Sequence, residues 1–317
     1  MMDNCGGWKM KLGLVAILDL AMFFGLAALA SEPPKSLEDI LLAGTEPQVI
    51  GTGYGFCEGP AADGDGNVYF SDGKNDSIWV YRIGKGVELF ANDSTDANGM
   101  MFNSKGELYV CEGAARRVVA IDVKTKNKRV LADRFEGISF NEPNDLTIDQ
   151  FDGFYFTDPN YRHRGQETLM KEDVYYVSAD GKVSRVSQVC IKPNGILLTP
   201  DNKTLYLADN AGGVIYRYDV IGPGQLANER KWIDLGAHPD GLALDEFGDL
   251  YVACGRAGIK VYSKEGTAIG TITLPYASNC VFGGKDFRTL FVTSADKFYA
   301  IPTKVRGILP PVLHKRE

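Results

Sequence analysis

Several kinds of chemistry lack their residues in this chain. It has three histidines in 317 residues, and no Cys-x-x-Cys pair, so a thiolate zinc site has no support. There is no Gly-x-Ser-x-Gly elbow for a serine hydrolase and no glycine-rich phosphate loop. Positive charge is not in excess: the net charge is −7, which removes the electrostatic motive for binding nucleic acid. After Leu42 helical spacing is nearly absent, and after Ala30 no apolar run is long enough to cross a bilayer. Six cysteines, falling to five if Cys5 leaves with a leader, make no close-spaced disulfide framework. Cys57, Cys111, Cys190, Cys254 and Cys280 sit in or beside strand-like segments and read as buried thiols.

One long apolar run is present, at the start. Lys9 and Lys11 precede Leu12 to Ala30, which closes on Ala28-Leu29-Ala30 before Ser31, the form of a signal-peptidase site. Residues 1–30 are expected to be a signal peptide, giving an exported protein, periplasmic or secreted, with no stable membrane span once it is removed. Residues 31–46 read as a linker or short helix, 47–307 as the folded body and 308–317 as a tail.

That body repeats. A short apolar strand recurs as Asn67-Val-Tyr-Phe-Ser, Glu107-Leu-Tyr-Val-Cys, Gly153-Phe-Tyr-Phe-Thr, Thr204-Leu-Tyr-Leu-Ala, Asp249-Leu-Tyr-Val-Ala and Thr289-Leu-Phe-Val-Thr. Eleven residues before each aromatic ring, or 12 in the fourth and sixth repeats, stand Glu58, Asn98, Asn144, Asn194, Asp240 and Asn279. A repeat of this length cannot bury its own apolar faces and must stack on its neighbours. Four strand-like pieces per repeat predict an all-β fold: a six-bladed β-propeller of four antiparallel strands per blade. The last repeat lacks a fourth strand, and Gln48-Val-Ile-Gly-Thr stands unpaired at the front. The N-terminal strand is therefore expected to close the last blade and remove the open edge.

If the repeat position opens the innermost strand, its oxygens surround one axis. Carboxylates at Glu58 and Asp240 repel there, and burying them unpaired is costly. A single divalent cation resolves both problems. All-oxygen ligands point to calcium first, with magnesium, manganese and zinc as alternatives. Glu58, Asn144, Asn194 and Asp240 are the candidate metal ligands, with Asp240 and Asn144 also the candidate catalytic residues. Asn98 and Asn279 either line the mouth, Asn98 as a substrate contact, or bond backbone at a strand start. Strand alternation is expected to point Asp145 away from the axis. The long loop from Asp158 to Glu172 is a candidate lid. His163 on it is a candidate substrate contact, as is Arg117, one of four arginines (Arg116, Arg117, Arg162, Arg164) placed to steer a substrate.

Cys57-Glu-Gly-Pro, Leu131-Ala-Asp-Arg-Phe-Glu-Gly, Asn141-Glu-Pro-Asn-Asp-Leu, Phe156-Thr-Asp-Pro, Pro193-Asn-Gly-Ile, Pro239-Asp-Gly-Leu and Ile301-Pro-Thr-Lys-Val-Arg-Gly together resemble the gluconolactonase and regucalcin-like family. The resemblance implies a propeller with one calcium-type ion in its channel. It carries the family's glutamate to Glu58, its Asn-Gly asparagine to Asn194, its Asp-Gly aspartate to Asp240 and its metal- or substrate-facing amide to Asn144. In one departure, Glu142 stands where the gluconolactonase branch tends to have a small polar residue and regucalcin-like members an arginine that meets substrate. Glu142 is therefore a candidate substrate contact. The expected activity is metal-dependent hydrolysis of a lactone, a sugar lactone in particular. The rivals are an arylesterase or phosphotriesterase using the same ion, and a non-catalytic propeller with a structural ion. The expected partner is a small-molecule lactone or ester.

Overall fold

The computed structural model describes residues 32–162 and 171–308. The expected signal peptide, His163 and the tail beyond Ile308 lie outside the described residues. Among those described, no helix is long and apolar enough to cross a membrane.

Six four-stranded antiparallel sheets are present, one per repeat. The inner strands are Cys57–Ala62, Ala97–Phe102, Leu146–Ile148, Pro193–Leu198, Leu242–Leu244 and Asn279–Gly283. Each pairs with the aromatic-bearing strand of its own repeat, as in Ala61↔Tyr69 and Ala243↔Tyr251. Ring closure follows the expected route: Gln48–Thr52 pairs with Lys297–Pro302 as the outer strand of blade six. The edge of Lys297–Pro302 is thereby covered, and blade six reaches the same four strands as the others.

The repeated aromatics explain why the sheets stack. Tyr69, Tyr109, Tyr155, Tyr206, Tyr251 and Phe291 are all buried, and apolar clusters fill the gaps between blades. At the closing seam Phe70 stacks on Phe298, with centroids 4.1 Å apart. Four of the five cysteines in the body are buried single thiols, and Cys190 is half-buried. The segment read as a linker is partly docked. Leu37–Ile40 forms a short helix, Ile40 is buried in the cluster between blades five and six, and Lys304 donates from its backbone to the Ile40 carbonyl at 2.7 Å.

The far end of the channel is stopped by the chain itself. Ile308 donates from its backbone to Leu244 at 3.1 Å and joins the apolar inner strands there. Gly307 permits this approach, because a Cβ on it would lie 1.9 Å from the Phe282 Cβ. Nearby, Asp245 ties the blade-five turn by accepting from the Phe247 and Asp249 amides and from the Tyr251 hydroxyl.

Burial, and then the charge of Asp249, push the Asp245 carboxyl up to about 7. The folded protein therefore holds this proton more tightly than the unfolded chain. That stabilisation is fully present below the ordinary carboxylate range and is lost as pH rises through about 7. Asp245→Asn keeps an acceptor oxygen and cannot ionise. Its melting temperature relative to the parent should rise by about 2 °C or more between pH 4.5 and pH 8. A difference that does not move with pH would contradict this.

Candidate active site

Five of the six ring positions line one mouth, with Asn279 just behind Glu58, and the inner strands meet there too closely for ordinary side chains. A Cβ on Gly59 would lie 1.9 Å from the Asn98 carbonyl oxygen, and one on Gly195 would lie 2.1 Å from that of Asp240. On Gly99 it would lie 2.6 Å from the Asn144 carbonyl, and on Gly241 1.9 Å from the Asn279 side chain. Each Glu-Gly, Asn-Gly or Asp-Gly pair thus marks contact between neighbouring blades rather than a turn. The inner strands of blades one, two and four also break register here, between Glu58 and Ala61, Ala97 and Met100, and Pro193 and Ile196. Such irregularities re-aim side chains at a strand end.

Glu58, Asn144, Asn194 and Asp240 line one cavity of about 290 Å³. Burial pushes the Glu58 carboxyl above its ordinary range. The Gly59 amide at 3.0 Å, the Asn279 side chain at 3.4 Å and the charge of Arg162 pull it back only in part. Burial, then the charges of Glu58 and Asp145, hold Asp240 well above the carboxylate range, while the Asn194 side chain acts against this. Asn194 also donates to the Tyr161 hydroxyl at 2.9 Å.

Three of the four are mounted in the same way. An aspartate ending the second strand of the blade accepts from two backbone amides of the segment leading into the inner strand. Asp72 accepts from Gly55 and Phe56 ahead of Glu58, Asp158 from Asn141 and Glu142 ahead of Asn144, and Asp209 from Ile191 and Lys192 ahead of Asn194. Asp240 is mounted differently: Asn210 donates to the Pro239 carbonyl at 3.0 Å, and His238 Nδ1 meets the Asn210 carbonyl at 2.9 Å. The repeated strand motif continues one residue further to these aspartates, which is the signal that would have found them.

The other sequence candidates divide. Asn98 lines the cavity, and its carbonyl accepts from Ser71 at 3.1 Å. Asn279 serves the backbone as expected, accepting from the Cys280 amide at 2.8 Å, and it also touches Glu58. Glu142 lines the cavity, but one of its oxygens is occupied by the backbone amides of Tyr161 and Arg162, at 2.8 Å for the latter. It thereby holds those two residues at the mouth.

Two expectations are corrected. Arg117 is not among the cavity residues: its guanidinium pairs with the buried Glu112 at 2.6 Å, where Lys128 joins at 2.9 Å. Arg162 stands at the cavity instead, paired with Asp96. Asp145 does not turn from the axis. Regular pairing in blade three begins only at Leu146, so alternation does not govern Asp145. Its carboxylate lies in the channel, accepting from Leu146 at 2.9 Å and pushed up to about 8 by burial and then by the Glu58 charge. Sequence reasoning also missed Phe56, Asp96, Tyr161, Asn210 and Tyr276 in the cavity wall.

A family model described as the SMP-30/Gluconolactonase/LRE-like region matches residues 56–296. The chain belongs to this family. It is 30% identical over 305 residues to the gluconolactonase of Zymomonas mobilis, covering 86% of this chain and 85% of that protein. A gluconolactonase structure from Xanthomonas campestris superposes with a TM-score of 0.78 at 25% identity, covering 86% of this chain and 95% of that one. The calcium-binding protein regucalcin from Agrobacterium tumefaciens, at 19% identity, shares the fold with a TM-score of 0.73, covering 84% of this chain and 97% of that one.

The residues of this family member fit a hard divalent cation. The donors are all oxygens, two of the four side chains are carboxylates whose charges oppose each other's ionisation, and no protein partner among the described residues occupies the Asn144 side chain. No group of three or more His, Cys, Asp or Glu that could hold a metal occurs among the described residues, so the amides are needed to complete the set.

The mounting generates a test. Asp158→Ala leaves two buried amides without an acceptor and should cost about 2–5 kcal/mol in urea unfolding. A cost below about 1 kcal/mol would show that Asp158 does not hold the Asn144 segment.

Proposed function

We propose that the protein is a lactonase that opens a neutral lactone, a sugar lactone such as gluconolactone in particular, at a divalent cation held by Glu58, Asn144, Asn194 and Asp240. The observation carrying this reading is the pair of buried carboxylates, Glu58 and Asp240, set against two amides in one small cavity. The near full-length similarity to a gluconolactonase supports the reaction class. Calcium is the favoured ion because every donor is oxygen.

When bound, the cation would supply polarisation of the ester carbonyl and stabilisation of the oxyanion that follows. Asp240 is the candidate base, taking a proton at its carboxylate from the attacking water. Asn144 and Asn194 orient the reacting ester, and Glu58 balances charge. Among the described residues the wall carries Glu58, Asp96, Glu142 and Asp240 against one cationic side chain, Arg162, itself paired with Asp96. Such a lining accepts a neutral lactone and repels the carboxylate released from it. The N-terminal sequence alone supports an exported enzyme.

Chelation should lower gluconolactone hydrolysis by about a hundredfold or more, with recovery on adding calcium. Asp240→Ala should lower kcat by about 10²–10⁴. Undiminished turnover after chelation, or normal turnover by Asp240→Ala, would sink the mechanism. Turnover of aryl esters or phosphotriesters far above that of lactones would reassign the substrate.

A further inference from the structure

Phe56 and Tyr276 have no place in the folding core. Both are half-buried, both lie outside the apolar clusters between blades, and both sit on loops entering inner strands, Phe56 in blade one and Tyr276 in blade six. Yet both line the cavity. Their rings meet edge to face, with centroids 6.1 Å apart. The Lys74 ammonium lies 5.6 Å from the Phe56 centroid. Tyr276 is backed by Gly255, where an added Cβ would already stand 3.4 Å from the ring. The Tyr276 hydroxyl has no hydrogen-bond partner among the described residues. Burial, then the charges of Asp240 and Glu58, push it up to about 12.

Aromatic residues held at a cavity without a core role, with a hydroxyl that no described residue engages, make a surface for a ring. The apolar C–H face of a saturated polyol ring packs on such a wall, while its edge offers oxygens to a donor. We propose that Phe56 and Tyr276 seat a six-membered hydroxylated lactone ring, with the Tyr276 hydroxyl donating to one of its oxygens. The pair thereby selects hydroxylated ring lactones over bare ring lactones and acyclic esters. This rests on the lactonase reading and names the residues that select its substrate.

The test compares the parent with Phe56→Ala, Tyr276→Ala and Tyr276→Phe on glucono-1,5-lactone, δ-valerolactone and an acyclic alkyl ester. Both alanine variants should raise KM for gluconolactone by about tenfold or more, with kcat within about twofold. Tyr276→Phe keeps the ring and loses the donor. It should lower the kcat/KM ratio of gluconolactone to δ-valerolactone by about fivefold or more. An unchanged ratio in Tyr276→Phe, or a KM within about twofold of the parent in Tyr276→Ala, would overturn the proposal. Calorimetry with glucono-1,5-lactam, a hydrolysis-resistant ring, separates the two readings. A parent that opens no lactone but binds the lactam, with about tenfold weaker binding by Tyr276→Ala, would end the lactonase reading and leave the aromatic wall standing. A lactam bound equally by parent and Tyr276→Ala, or not bound by the parent at all, would end the wall.

Discussion

The site depends on how closely the inner strands approach at one mouth of the channel. With a Cβ at Gly59 or Gly195, neighbouring blades could not reach their present separation, since the carbonyls of Asn98 and Asp240 lie within 1.9 and 2.1 Å of that point. Close approach draws carboxylates and amides from separate blades into one cavity. It also denies them water, which makes their mutual repulsion costly enough for a cation to matter. Packing and chemistry are therefore set by the same residues.

Rigidity comes from outside the ring. Asp72, Asp158 and Asp209 each turn a side chain back onto the amides that lead into their own blade's inner strand. In blade two the matching place belongs to Glu112, whose fully buried carboxylate gathers Arg117 and Lys128 instead. Blade two contributes Asn98 to the cavity wall, where it stands only half-buried. The same mounting in blades one, three and four, and its absence in blade two, separates three candidate ligands from the bystander Asn98, while Asp240 of blade five is held through Asn210 instead.

Much of this was legible in the sequence because a propeller repeats one unit. The spacing from oxygen to aromatic gave the blades, and the unpaired Gln48–Thr52 strand gave the closure. What was not legible depends on geometry that spacing does not encode. Asp145 was misplaced because strand alternation assumes a regular ladder, and here the ladder starts after it. Arg117 looked available because its partner Glu112 reads as an ordinary strand end. Glu142 was visible as a departure from the family, but its use as an acceptor for the Tyr161 and Arg162 amides is a contact between residues 19 and 20 positions apart that spacing does not reveal. Phe56 and Tyr276 carry no motif; only their place in the cavity wall, away from the core, marks them.

The central claim is that the ring binds one divalent cation through two carboxylates and two amides. Calorimetric titration of metal-stripped protein with calcium tests it most directly, using the parent beside Glu58→Gln and Asp240→Asn. The account predicts one ion per chain for the parent and affinity weakened by about a hundredfold or more in each variant, with both variants still folded. Absence of binding by the parent, or unchanged affinity in both variants, would contradict it.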